Sequence, residues 1–281
     1  MRTVAILGAG DLGATLARLL AEREVARRIV LVDPDDGRAR GKALDIMQSG
    51  PVDHFDVRVD GCATLDLAGA CDLVVIADHP ALDQEPVAPG RAAEWMRDVA
   101  ARLGPATLLV ARGGAAPLLE AALAHGVPRD RMLGSAPLAF AAAVSRRIAT
   151  ELKTAARDVA TLVLGAPPAH AMVPQGGATV AGVPVERLSP VALRRALEGA
   201  ARRTAGPVAL AAAAARAASV LARAHTVLLS VTAVLQGEYG HRGVALAVPA
   251  RVGAGRVQDV VEIALDPVDR VAFDNAASRR R

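Results

Sequence analysis

The sequence predicts an α/β fold, a doubly wound parallel sheet followed by a mixed α+β region, and three observations carry that reading. The apolar run 3–7 breaks at Gly8, Gly10 and Gly13, after which Leu12, Leu16, Leu19 and Leu20 recur at helical spacing. That is the pattern of a strand turning tightly into a helix. A second apolar strand, 28–33, ends in the acid Asp33, twenty residues after Gly13. Strands then alternate with helices to about residue 135, an order that a parallel sheet with helical crossovers satisfies.

Taken in order, 37–48 reads as a helix with Ala43, Leu44, Ile46 and Met47 supplying apolar positions. A short strand at 57–59 precedes 71–77, a continuous apolar strand of the kind buried on both faces. Helices are expected at 91–103 and 117–125, with strands at 106–111 and 131–134. From residue 136 the texture changes. A helix at 139–152 leads to strands at 161–164 and 179–185, joined by a loop rich in glycine and proline. Ser189 with Pro190 has the form of a helix start, a cap followed by a first-turn proline, for a helix through Arg203. A further helix to about residue 224, strands at 228–236, 244–248 and 257–265, and a last helix opened by Asp266 and Pro267 complete the chain.

The three glycines form a G-x-G-x-x-G fingerprint. Gly8 permits the tight turn, Gly10 lets a pyrophosphate approach the backbone, and Gly13 lets the helix pack closely on the strand. The open N–H groups at the helix start then face phosphates. A carboxylate at Asp33 can accept hydrogen bonds from both ribose hydroxyls and repels a 2′-phosphate, which favours NAD over NADP. The bland alternative is that Asp33-Pro34 merely ends a strand and opens a turn. Strand, glycine turn, helix, strand and acid in that order make nucleotide binding the stronger reading, with a Rossmann-type sheet as its scaffold.

Composition narrows the classes. A chain of 281 residues can bury a sizeable core, and two linked subdomains are expected, divided near residue 135 into 1–135 and 136–281. The two cysteines, Cys62 and Cys71, match no zinc spacing and form no disulfide framework, so a reducing cytoplasm suits them. The charge of +4 rests on arginine, Lys42 and Lys153 being the only lysines, and gives no nucleic-acid surface. Only 278–281, SRRR, resembles a basic tail, and it reads as a disordered terminus. The apolar tract 208–235 contains Arg216, Arg223 and His225, so it reads as a buried helix plus strand and not as a membrane span.

These segments resemble the malate and lactate dehydrogenase family along most of their length. The carriers are GAGDLG at 8–13 with Asp33, GKALDIMQSGP at 41–51, DLVVIA at 72–77, RMLGS at 131–135, MVP at 172–174, VAGVPV at 180–185 and LQGEYG at 235–240. The resemblance implies a Rossmann NAD-binding domain over 1–135, a lactate/malate dehydrogenase-like α+β domain over 136–281, and a homo-oligomer, dimer or tetramer, in the cytoplasm. Neither nucleic acid nor membrane is an expected partner, and no metal is implied. The cofactor contacts it implies are Gly8, Gly10, Asp11, Leu12, Gly13, Asp33 and Ala77.

The chemistry departs from the family. That family moves hydride between NAD and a 2-hydroxy acid with a histidine as general acid/base, an aspartate orienting it, and arginines gripping the substrate. Its histidine stands in G-x-H-G-D just before M-V-P. Here Pro167 or Pro168 takes that place, depending on the end counted from. In the L-D-S-A-R segment the aspartate becomes Phe140 and the arginine becomes Ala143. The T-N-P turn reads Ala111-Arg112-Gly113, and the loop that carries R-K-P-G-M-x-R reads 78–86, acidic and without arginine until Arg91. His170 is the candidate replacement acid/base, two or three positions late, against the reading of a solvent-facing loop histidine. Arg146 and Arg147, one helical turn beyond Ala143, are the candidate substrate arginines, against a solvated or interface face. Asp78 and His79 form a third possible pair, although His79-Pro80 reads more simply as a turn, and Glu238 suits a structural role.

Losses of mutually dependent groups suggest that the old reaction is gone, because hydride transfer needs them as a unit. Three readings follow. One is a catalytically silent NAD(H)-binding subunit, with an active paralogue as a possible partner. The second is an oxidoreductase on an altered substrate with relocated groups. The third is a scaffold without cofactor, against which the intact fingerprint argues.

Overall fold

The computed structural model describes residues 1–64, 71–82, 87–202 and 204–280. Strands β1 (Thr3–Leu7), β2 (Arg28–Val32), β3 (Arg58–Cys62), β4 (Leu73–Ile76), β5 (Thr107–Val110) and β6 (Met132–Gly134) lie in the order β3-β2-β1-β4-β5-β6, all parallel. The order reverses between β1 and β4. A doubly wound sheet opens its ligand crevice at the carboxyl ends of the strands flanking such a reversal. Here those ends carry Gly8–Gly10 and Ala77–Asp78.

Both faces of this sheet are covered, which is why β4 and β5 are buried at every position and apolar at all but Thr107. On one face α1 (Asp11–Glu22) buries Leu12, Leu16 and Leu20 beside α8 (Pro207–Leu221). The alanines of α8, Ala211, Ala214, Ala215 and Ala218, are fully buried and let the two helices approach closely. Each fully buried leucine contributes roughly 1.5–3 kcal/mol relative to exposure. On the other face α3 (Pro89–Leu103) and α4 (Ala116–Ala124) bury Met96, Val99, Leu118 and Leu119. α2 (Asp36–Asp53) runs alongside β3 and is capped by the Asp35 carboxylate on the Arg38 N–H. Its buried stripe is Ala39, Ala43, Ile46 and Gly50, so the predicted apolar positions Leu44 and Met47 fall off the stripe and are exposed.

The sheet continues past β6. β12 (Val227–Gln236) pairs antiparallel with β6, β13 (Arg242–Gly253) with β12, β8 (Leu164–Ala166) with β13 and β9 (His170–Met172) with β8, while β14 (Arg256–Val260) also joins β13. A small antiparallel sheet holds β7 (Val159–Thr161), β10 (Ala178–Val180) and β11 (Val183–Pro184). The strand expected at 161–164 is therefore split. The Leu162 N–H turns to the Gly177 carbonyl and the Val163 N–H to Ser230 Oγ, carrying the chain from one sheet to the other. The single strand expected at 179–185 is a tight hairpin, β10 to β11, running into the short helix α6 (Val185–Leu188).

α5 (Ala136–Glu151), α7 (Ala192–Ala201) and α9 (Pro267–Ser278) complete the fold. Proline stands in the first turn of α3, α4, α5, α8 and α9, where its missing N–H costs nothing. Asp266 caps α9 by accepting from the Asp269 N–H at 2.8 Å. Ser189 does not cap α7. Its N–H closes α6 on the Val185 carbonyl, and α7 begins three residues later; its predicted end at Arg203 lies outside the described residues. No described helix is long and apolar enough to cross a membrane.

Candidate functional site

The crevice at the sheet reversal gathers the fingerprint. Gly8 has φ +109° and donates to the Val32 carbonyl, and a Cβ there would stand 2.5 Å from the His79 backbone nitrogen. Only glycine takes that conformation without strain. A Cβ on Gly13 would run into the Gly8 carbonyl oxygen, so helix and strand pack at backbone contact. Asp33 is fully buried at the end of β2, with Oδ2 accepting from the Ala9 N–H at 2.9 Å and Oδ1 from the Asp35 N–H at 3.0 Å. Arg38 Nη1 lies 3.8 Å away. Each carboxylate oxygen has two acceptor positions, so each oxygen of this buried carboxylate keeps one beyond its backbone bond.

Gly10 is the N-cap of α1 and supplies no side-chain cap. Asp78, at the carboxyl end of β4, supplies one from across the crevice. Its Oδ2 accepts from the Leu12 N–H at 2.8 Å and its Oδ1 from the Gly13 N–H at 3.1 Å. A side chain on Gly10 would collide with that carboxylate. The helix start, where a dinucleotide-binding fold receives a pyrophosphate, therefore already holds an anion. Asp11 is exposed in the first turn of α1, and the Ala77 N–H is bound to the Leu7 carbonyl. His79 is half-buried with its ring 5.4 Å from that of Trp95, and its Nδ1 accepts from the Ala81 N–H at 3.2 Å. Burial pushes its pKa down, against the opposing pull of Asp33. Asp78 and His79 thus sit at the crevice; His79 is held in its own turn and Asp78 by the helix. Residues 83–86 of the acidic loop lie outside the described residues.

A second cavity, of about 420 Å³, lies beside the Gly113–Gly114 turn after β5. Phe140 of α5, Pro167 and Pro168 of the β8–β9 turn, Leu210 of α8 and His170 line it. His170 opens strand β9 and is exposed, in a segment expected to be a loop. Arg279 and Arg280 also line the cavity. They follow directly on α9, whose Phe273, Ala276 and Ala277 are buried, so the expected disordered tail is docked up to Arg280. Arg280 further reaches Glu120 at 3.4 Å. The signal for this docking was the Asp266-Pro267 start followed by apolar residues at helical spacing. Arg146 and Arg147 do not line the cavity. Both are exposed on α5, and the Arg147 guanidinium lies over Gly199 of α7.

Arg112, in the turn after β5, is buried and donates to the Leu82 carbonyl. Glu238 stands apart from both cavities. It accepts from the Gln236 N–H at 2.6 Å and from Arg129 at 2.7 Å, bracing the turn between β12 and β13.

Residues 2–84 match the NAD-binding domain of lactate/malate dehydrogenase. A malate dehydrogenase from Thermomicrobium roseum is 33% identical over 304 residues, covering 100% of this chain and 96% of the relative. One from Desulforudis audaxviator is 31% identical over 301 residues, covering 100% and 96%. The solved malate dehydrogenase of Salinibacter ruber superposes with a TM-score of 0.90 at 27% identity, over 99% of this chain and 94% of that one. Fingerprint, sheet order and full-length similarity agree: the chain belongs to the malate/lactate dehydrogenase family, and its cofactor is NAD.

Proposed function

We propose that this chain is an NAD(H)-binding member of its family that no longer performs the family's hydride transfer. The observation that carries this reading is the lining of the second cavity. At the positions where the motifs place a proton-transferring histidine and its orienting aspartate, the wall carries Pro167 or Pro168 and Phe140. Reducing a 2-oxo acid requires a proton for the oxygen as hydride reaches carbon, and none of these side chains carries one to give. Ala143, at the arginine position, is exposed on α5 and offers no grip on a carboxylate. The cofactor half keeps its parts, with Gly8, Gly10, Asp11, Leu12, Gly13, Asp33 and Ala77 as the proposed contacts. Residues 1–135 form the nucleotide-binding part and 136–281 the remainder, in a cytoplasmic homo-oligomer.

A second reading draws on a specific feature of the same cavity: His170, Arg279 and Arg280 all line it. A histidine and two guanidinium groups are the residue types a relocated acid/base and carboxylate clamp would use. Titration with NADH, followed by oxaloacetate and pyruvate while nicotinamide absorbance is monitored, separates the two. Binding without oxidation is the expected result. Oxidation that His170→Ala abolishes would overturn catalytic silence and establish the second reading.

A further inference from the structure

The carboxylate of Asp78 stands where the nucleotide-binding helix would receive phosphate. We propose that Asp78 is an internal competitor for the pyrophosphate of the dinucleotide, so that NAD(H) binds only by turning this side chain out of the crevice. The inference rests on the NAD-binding reading of the crevice and adds the residue that sets the strength of that binding.

Three observations carry it. The two oxygens of Asp78 are each taken up by a backbone N–H of the first turn of α1, Leu12 at 2.8 Å and Gly13 at 3.1 Å. The N-cap position of α1 is Gly10, which has no side chain of its own to offer those donors. The space against Gly10, which a fingerprint glycine leaves free for a pyrophosphate to approach, contains the Asp78 carboxylate instead. An anion at a helix start is favoured by the oriented peptide dipoles as well as by the hydrogen bonds. Asp78 and a pyrophosphate therefore seek the same donors and the same field, and like charges at contact distance exclude each other. The side chain springs from the turn after β4, across the sheet reversal from β1, and its release of the helix start requires a change of its own torsions.

The consequence is discrimination by charge. A ligand that uses only Asp33, such as an uncharged nucleoside, does not touch the Asp78 position, whereas a dinucleotide must displace it. Asp78→Ala removes the competitor, and Asp78→Asn keeps a cap of similar shape without the charge. Hydrogen bonds to a charged group contribute about 1.5–3 kcal/mol, which converts to a dissociation constant for NADH roughly tenfold to a hundredfold lower in Asp78→Ala. Asp78→Asn should fall between it and the unaltered protein. Calorimetric titrations of all three proteins with NADH and with adenosine test this, circular dichroism confirming the fold of each. The expected result is tighter NADH binding with adenosine affinity unchanged. Measurable NADH binding that neither substitution tightens would overturn the proposal and leave the cofactor reading standing. Equal tightening of NADH and adenosine would also overturn it, since that reports a general opening of the crevice. No NADH binding in any of the three would overturn both.

Discussion

Gly13→Ala sets two opposing effects against each other in one methyl group. In an exposed helix interior the exchange stabilises by about 0.5–1 kcal/mol, because alanine loses less backbone entropy than glycine. At Gly13 the added Cβ would overlap the Gly8 carbonyl oxygen, stand 2.9 Å from the Gly8 carbonyl carbon and 3.1 Å from Asp78 Oδ1. The nearest two atoms are backbone of the turn after β1, so no side chain can swing aside, and α1 must lift from the sheet. That loosens Leu12, Leu16 and Leu20, which are buried under it. Overpacking costs about 1–3 kcal/mol. With backbone rather than a movable side chain in the way, the upper part of that range applies, about 2–3 kcal/mol. Against a propensity gain of up to about 1 kcal/mol it leaves a net loss of about 1–2 kcal/mol. At roughly 2–4 °C per kcal/mol for chains near this size, the unfolding midpoint should drop by about 2–8 °C. Gly41→Ala is the internal control. Gly41 lies within α2 and its Cβ would meet nothing within 4 Å, so it should show the propensity gain alone. Thermal unfolding followed by circular dichroism reads both. A Gly13→Ala midpoint equal to or above that of the unaltered protein would refute the close-packing argument.

Burial, with the neighbouring Asp72 charge second, pushes the Cys71 thiol up to about 11, while Cys62 is only partly buried. Iodoacetamide at pH 8 should therefore alkylate Cys62 in the native protein and reach Cys71 only after unfolding, as read by peptide mass spectrometry; comparable native rates would contradict this. Burial acts to raise the Glu238 carboxyl, but the Gln236 N–H, its own N–H and Arg129 together outweigh it and hold the group below the ordinary range. A depressed folded pKa means that this contribution is present above the unfolded value of about 4.3 and is lost as pH falls through the folded one. Glu238→Gln should accordingly lower the urea midpoint at pH 7, with the deficit shrinking as the medium is acidified below about pH 4. A deficit that is the same at pH 7 and pH 3 would show that charge plays no part.

Much of the nucleotide half was legible in the sequence because its signals are local. A glycine forced to positive φ at Gly8, a helix stripe through Leu12, Leu16 and Leu20, and apolar strands ending in Asp33 each depend on residues a few positions apart. The helix α2 shows the limit of such reading. Leu44 and Met47 suited a helix by type, but which side of it faces β3 was settled by the stripe of Ala39, Ala43, Ile46 and Gly50. The antiparallel extension was blurred for a similar reason. Thr161 and Leu164 belong to one apolar run, yet Thr161 pairs with β10 in the small sheet and the strand of Leu164 with β9 and β13 in the large one.

The sequence by itself determined that a strand-turn-helix unit carries the dinucleotide fingerprint, and its motif spacing is the basis for proposing that proline, phenylalanine and alanine stand at the family's catalytic positions. Both are matters of residue type at fixed spacing. Only the tertiary structure decided which groups meet: Asp78 with the helix start 65 and 66 residues away, and Arg279 and Arg280 with the cavity of Phe140 and Pro167. Such contacts arise from the parallel pairing of β1 with β4 at the sheet reversal and from the docking of α9 through Phe273. Spacing along the chain carries no trace of them, because the packing of distant apolar faces sets which polar groups come within reach.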